Sequence, residues 1–316
     1  MLHLTSSPGD VATAVRLLQA GELVALPTET VYGLAGDATN PDALRAIFRA
    51  KGRPSDHPLI VHLGGAEHLP EWVTRVPDTA WRLASAFWPG PLTLVLPAAS
   101  TVSPLVTGGQ TTVALRVPGH PVMQRVLREF GRGLAAPSAN PFGQISATTA
   151  AHVQTHLAGR IAAVVDDGPC VVGIESTIVD LASDHPRILR PGAITLEMIA
   201  EHVSCTDAVT SPAPRVPGAL ASHYAPRTPC YRIGAGLVES PFPGLRTGLL
   251  APRLPGWPVT QFWPMPSEPD AYARALYAVL HEADASRCEV LLVTLPPDEP
   301  AWTAIHDRLR RATRPL

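Results

Sequence analysis

The sequence predicts a two-part α/β protein, on three observations. Short apolar runs alternate with amphipathic segments through the first two hundred residues, the pattern of strands and helices sharing one core. The periodicity then stops between Val203 and Thr228, and a second, smaller set of strand and helix patterns resumes beyond it. A length of 316 residues fits this division, because single cores stop growing at about 250–300 residues.

Taken in order, Asp10 can cap a helix that carries Val11, Ala14, Val15 and Leu18 on one face and ends at Gly21. The strand Leu23–Leu26 follows and is stopped by Pro27. Asn40-Pro41-Asp42 reads as N-cap, first-position proline and acidic first turn of a helix reaching about Ala50. Further strands are expected at Leu59–Leu63, Leu92–Leu96, Val113–Val117, Gly133–Ala136, Ala162–Val165, Thr177–Asp180 and Arg187–Leu189. Helices are expected at Asp78–Phe87, His120–Phe130, Thr149–Leu157 and Leu196–His202. The run Ser211–Gly218 is a linker stiffened by proline. After it come strands at Cys230–Ile233, Thr247–Leu250 and Glu289–Val293, with helices at Asp270–Ala283 and Ala301–Arg311. The expected units are residues 1–202, a linker at 203–228, and residues 229–316. Gly234-Ala235-Gly236 follows a strand but lacks the third glycine of a dinucleotide fingerprint, so it reads as a plain turn.

Composition removes several classes of function. Hydrophobic residues at 46% and charged residues at 16% describe a folded domain rather than a disordered one. No stretch approaches the ~18 apolar residues of a membrane span, and the N-terminus lacks the basic start of a secretion signal, so a cytoplasmic location is the expectation. Four scattered cysteines form no C-x-x-C pair, which argues against a zinc ribbon and a disulfide framework. A net charge of −2 gives no expectation of tight nucleic-acid binding. The basic residues total 25, yet Lys51 is the one lysine, and Asn40 and Asn140 are the two asparagines. Such a skew marks these survivors as positions where substitutes fail. A capping role accounts for Asn40, leaving Lys51 and Asn140 as site candidates.

Four polar clusters fall where loops should sit at strand ends, the usual ligand position in open α/β sheets. Pro27–Leu34 offers small hydroxyls beside a glycine, though a capping box or turn would look the same. Lys51–His62 places two cations and two histidines together, suited to a polyphosphate or to a solvated basic turn. Ala136–Ser146 supplies hydroxyl, carboxamide and backbone N–H groups that can cradle phosphate. The fourth is spread over Thr111–Arg116, Gly173–Thr177 and Leu189–Gly192, where Arg116 inside an apolar strand calls for an anionic partner. Glu29 and Glu175 are the few carboxylates among these clusters, which favours activation of anions over hydrolysis by paired acids.

These clusters, in this order and joined by Phe87–Thr93, resemble the threonylcarbamoyl-AMP synthase family, from about Asp10 to Gly192. Pro217–Pro226 resembles the linker of its longer branch. The resemblance implies a YrdC-like twisted mixed-sheet catalytic domain, a linker, and a Rossmann-like C-terminal domain; His223-Tyr224 at the end of the proline-stiffened segment makes the linker a candidate lid. It implies a nucleotidyltransferase that makes L-threonylcarbamoyladenylate and pyrophosphate from L-threonine, bicarbonate and ATP. Downstream tRNA threonylcarbamoyl-transferase proteins would then modify the anticodon-adjacent adenosine. Thr30, His62, Arg116 and Ser176 match threonine-binding positions, with Arg116 suited to a carboxylate. Arg53, Thr112, Ser138, Ser146, Arg190 and Tyr224 match nucleotide-binding positions. His57 falls where many relatives carry Asn. Lys51, Arg53, Ser138 and Asn140 would form the catalytic surround of the phosphates, with no protein metal ligands and Mg²⁺ carried on the ATP. The alternative is a double-stranded RNA- or ribosome-binding module using the same basic concave face.

Overall fold

The computed structural model describes residues 1–316 except 184, 207–212, 219, 221, 235, 236 and 238. Part of the expected linker, including Ser211, Pro212, Ala219 and Ala221, and part of the Gly234–Gly236 turn therefore lie outside the described residues.

Local chemistry starts and stops the site-bearing elements. Asn40 caps the helix Pro41–Lys51, its Oδ1 accepting from the backbone of Asp42 at 2.9 Å and Ala43 at 3.4 Å. Gly52 ends that helix at φ 61°, a left-handed turn that L side chains resist. Arg53 is thereby turned back toward the sheet. The first helix, Pro8–Gln19, is capped by Ser7 rather than by Asp10. Pro8 takes the first helical position, and the Asp10 carboxylate turns back onto the backbone and hydroxyl of Thr5 at 2.9 and 2.6 Å.

Ten strands form one mixed sheet, in the order Leu2–Thr5, Ala163–Asp166, Val24–Leu26, Gly33–Asp37, Leu134–Ala135, Ile60–His62, Thr112–Arg116, Leu92–Pro97, Thr177–Asp180 and Arg187–Arg190. Alternation along the strands divides the core. Val24 and Leu26 join Val11, Leu18, Val126 and Leu127 on one face, while Ala25 joins Leu44, Ile47 and Leu115 on the other. The strand Gly33–Asp37 was not expected, because its glycines weaken any strand pattern. The reason for Gly33 is spatial: a Cβ there would lie 3.2 Å from that of Ala136.

The second sheet is parallel throughout, in the order Gln261–Pro264, Thr247–Ala251, Val290–Thr294, Cys230–Ile233 and Arg314–Pro315. The helices Pro269–Asp284 and Thr303–Ala312 cover it. Leu250, Leu291 and Val293 pack with Leu276, Leu280 and Leu309, and that cluster continues into Val31, Ile145, Ile174 and Tyr224. One apolar core thus runs between the two sheets. Gly173, at φ 84°, presses on the backbone of Ala273 and Arg274 so closely that no side chain fits between. Among the described residues, no helix is long and apolar enough to cross a membrane.

Candidate active site

The strands Ile60–His62 and Thr112–Arg116 run parallel with His62 opposite Arg116. Period-two alternation turns Ile60 and His62 toward a cavity while Val61 enters the core. That cavity is narrow, about 50 Å³ in volume, and lies over the middle of the large sheet. Thr30, Arg53, Ser138, Ser176, Arg190 and Tyr224 also line it.

Arg116 is held from three sides: Nη2 donates to Glu29 Oε1 at 2.6 Å, Nη1 to Thr30 Oγ1 at 2.9 Å, and Nε to the Gly90 carbonyl at 3.2 Å. The anionic partner expected for this arginine is therefore Glu29. Burial alone would raise the Glu29 carboxyl, but the adjoining guanidinium outweighs it and holds it below its ordinary value. Burial, then the charge on Arg116, keeps His62 well below the usual imidazole range, so it stands neutral with Nδ1 unpartnered.

Arg53 and Arg190 differ from Arg116 in lacking a carboxylate within ion-pair distance among the described residues. Backbone carbonyls orient them instead. Arg53 Nη2 donates to Pro58 O at 2.8 Å, and its guanidinium lies 5.5 Å from the Phe142 ring. Arg190 donates to Ser176 O at 3.0 Å, Pro217 O at 3.0 Å and Ser176 Oγ at 3.1 Å. Burial lowers both guanidinium pKa values, Arg53 to about 10. Arg53 Nε, His62 Nδ1, His223 Nδ1 and Tyr224 OH are buried atoms of the cavity wall without protein partners. Such atoms are rare in native structures, and their concentration at one cavity marks a ligand site.

Lys51 and Asn140 do not line the cavity. The Lys51 ammonium donates to the carbonyls of Ser138 and Asn140, and burial followed by the charge on Arg53 pushes its pKa well below the usual range. Asn140 Nδ2 donates to Pro141 O and Gln144 O at 2.8 and 2.9 Å. The Lys51 ammonium thus braces the loop that presents Ser138. His57 packs edge-on to Phe142 at 5.1 Å, and Thr112 opens its strand beside Pro97. Ser146 stands behind the wall, donating to Glu175 Oε1 at 2.5 Å.

Two matches identify this architecture. A family model described as telomere recombination, spanning Sua5, YciO and YrdC, matches residues 16–192. A second, described as the C-terminal domain of threonylcarbamoyl-AMP synthase, matches residues 194–313. The chain belongs to the Sua5, YciO and YrdC family. A Bacillus subtilis member named threonylcarbamoyl-AMP synthase is 39% identical over 98% of this chain and 94% of its own. The Pyrococcus abyssi Sua5 complexed with L-threonine superposes with a TM-score of 0.89 at 32% identity, over 99% of this chain and 97% of that one. A variant of the same archaeal protein, with a histidine and a tyrosine replaced by alanine, gives 0.90 at 31% identity, over 99% of this chain and 96% of that one.

Sequence reasoning missed the residues that the C-terminal part of this family member contributes. Glu175 Oε2 accepts from Arg308 Nε at 2.8 Å and from Tyr277 OH at 2.9 Å, and its carbonyl accepts from Arg308 Nη2 at 3.2 Å. Arg308 is fully buried. A signal was present, because the helical period puts Arg308 on the same stripe as Ala304, Ile305, Leu309 and Ala312. Pro217, Gly218, His223 and Tyr224 line the cavity, and they and their neighbour Ala225 are tied through Pro217 to Arg190, through Ala225 N to Gly143 O at 3.0 Å, and through His223 N to Arg311 O at 3.1 Å.

Burial would raise the Glu175 carboxyl, but Arg308, then Arg190, with hydrogen bonds from Ser146 and Arg308, bring it down to about 2. A carboxyl ionising more readily in the folded than in the unfolded chain stabilises fully above its unfolded pKa, and the gain is lost on acidification through the folded one. The window therefore runs from the ordinary 4.5 down to about 2. Across it, the urea midpoint of Glu175→Gln should fall less steeply than that of wild type. Equal slopes would show that Glu175 is not the group responsible.

Proposed function

We propose that the protein is a threonylcarbamoyl-AMP synthase, joining L-threonine, bicarbonate and ATP into L-threonylcarbamoyladenylate and pyrophosphate for threonylcarbamoylation of tRNA. One observation carries the assignment of ends within the cavity. Among the described residues, Arg53 and Arg190 are buried cations with no carboxylate within ion-pair distance, whereas Arg116 is already paired with Glu29. The unpaired end suits a triphosphate, and the neutralised end suits a zwitterionic amino acid.

In this reading Thr30, His62, Arg116 and Ser176 hold threonine. Arg53, Ser138, Arg190 and Tyr224 face the nucleotide, with Thr112, Ser146 and His57 at its margin. The threonine amine, having lost its ammonium proton to solvent, attacks bicarbonate; a C–N bond forms, the C–OH bond breaks, and hydroxide leaves as water with an amine proton, giving N-carboxy-threonine. Its new carboxylate attacks the α-phosphorus, an O–P bond forms, and the bond to the β-phosphate oxygen breaks with release of pyrophosphate. The chain supplies positioning and charge stabilisation. Both carboxylates beside the cavity are engaged by arginines, which leaves the triphosphate oxygens as ligands for Mg²⁺. Residues 1–202 form the catalytic unit in this reading, with 203–228 as linker and lid and 229–316 as the C-terminal domain. A cytoplasmic site of action and downstream tRNA-modifying partners complete it.

Three experiments bear on this reading. Pyrophosphate release from ATP should require threonine and bicarbonate together; equal release without threonine would leave a plain ATPase. Pro217, Gly218, His223 and Tyr224 act as a lid by excluding water from the labile mixed anhydride. Tyr224→Ala should therefore raise KM for ATP and the ATP consumed per product formed, each by about tenfold at most, and unchanged values would reduce the segment to a tether. Lys51→Arg should fold normally yet form product at least about tenfold more slowly, roughly 1.4 kcal/mol in the barrier. A guanidinium is larger and aimed differently, so it displaces the carbonyls of Ser138 and Asn140. Thermal melting controls for folding, and wild-type turnover would withdraw the role.

A further inference from the structure

Arg308 lies on a helix outside the large sheet, yet its three nitrogens all reach the wall of the cavity. Nε and Nη2 fix the carboxylate and carbonyl of Glu175, and Nη1 fixes the Pro191 carbonyl at 3.0 Å, one residue beyond Arg190. Tyr277, from the other C-terminal helix, holds the same Glu175 oxygen as Nε. The opposite oxygen accepts from Ser146, and the residue after Glu175 receives two donors from Arg190. Gly192 allows this convergence, since a Cβ there would collide with the backbone of residues 175–177. The chain from 175 to 177 and the chain from 190 to 192 are therefore clamped together from outside the sheet that carries them.

We infer that Arg308 and Tyr277 are positioning residues of this active site, acting through Glu175 on the nucleotide-side groups Ser146 and Arg190. The inference rests on the synthase reading above and adds to it a contribution from the C-terminal domain. Glu175 orients Ser146 as an ionised, fixed acceptor, and in so enclosed a position this depends first on Arg308 and then on the charge of Arg190. Removing the arginine leaves a buried carboxylate without its charge partner, the costly half of a broken pair. The carboxyl then rises under desolvation, takes up a proton, and releases Ser146 and the 190–192 turn. Simple domain glue would act differently: its loss would lower the melting temperature and leave the nucleotide dependence of the folded fraction unchanged.

The test uses the full chain and steady-state pyrophosphate release with ATP varied at saturating threonine and bicarbonate. Arg308→Met should raise KM for ATP at least about tenfold, with a smaller rise in KM for threonine through Ser176, and kcat/KM should acquire an acid limb that wild type lacks. Arg308→Lys, which keeps the charge but not the fork, should fall between the two. Glu175→Gln combined with Arg308→Met removes both charges and should recover most of the lost ATP affinity. Tyr277→Phe alters one hydroxyl, keeps the packing, and should raise KM for ATP by about threefold. This variant carries the test if Arg308→Met does not fold. Tyr277→Phe and Arg308→Lys chains with wild-type KM and pH profiles would overturn the inference, as would a double variant no better than Arg308→Met alone. A wild-type chain that releases no pyrophosphate in response to threonine would instead overturn the underlying reading, and this one with it.

Discussion

Arg308 enters the wall of the catalytic cavity from a helix of the second sheet, and much of the site's geometry follows from where Glu175 receives it. A buried ion pair of this kind is not a strong source of net stability, because desolvating both charges offsets most of their attraction. What it supplies is registration. The Glu175 carboxylate has acceptor sites facing three ways, toward Ser146, Tyr277 and Arg308, and the three donors come from three separate segments. The apolar core around Ile174, Tyr224 and Tyr277 makes the same junction without direction, and the ion pair gives it a single alignment.

Around the cavity the cations are steered by carbonyls. Arg53 donates to Pro58, Arg190 to Ser176 and Pro217, Arg116 to Gly90, and Lys51 to Ser138 and Asn140. A carbonyl fixes a cation's direction while leaving its net charge in place, so the field survives for an incoming anion. A carboxylate would cancel it. Pre-oriented charge in a site shielded from water is the arrangement that costs least reorganisation when charge moves in a reaction. Arg116 breaks the pattern through Glu29, and it does so at the end of the cavity where the amino-acid ligand is assigned.

Most of the large sheet was legible because its strands are apolar and its helices carry clear apolar stripes. The strand Thr177–Asp180 and the helix Asp78–Phe87 fall where periodicity places them. Gly33–Asp37 was illegible, since close approach to Ala136 selects glycine there and erases the strand signal. Within the site, the single-strand residues His62 and Arg116 were readable from a polar group in an apolar run. Arg308 lies on the buried stripe of a polar helix, yet nothing in sequence ties it to Glu175, because the contact spans 133 positions. For Lys51 the composition pointed to an indispensable residue, and the contacts assign it to the loop beneath the cavity instead of the cavity itself.

That placement gives the chain an unusual chemical property. Its one lysine amine is 3% exposed and engaged by two carbonyls of the 138–140 loop, so the folded surface offers amine-directed reagents no side-chain target. Acylation at Lys51 requires that loop to lift. Modification read at Lys51 itself, apart from that of the N-terminal amine, is therefore a clock for loop opening beneath the cavity, with no background from other lysines.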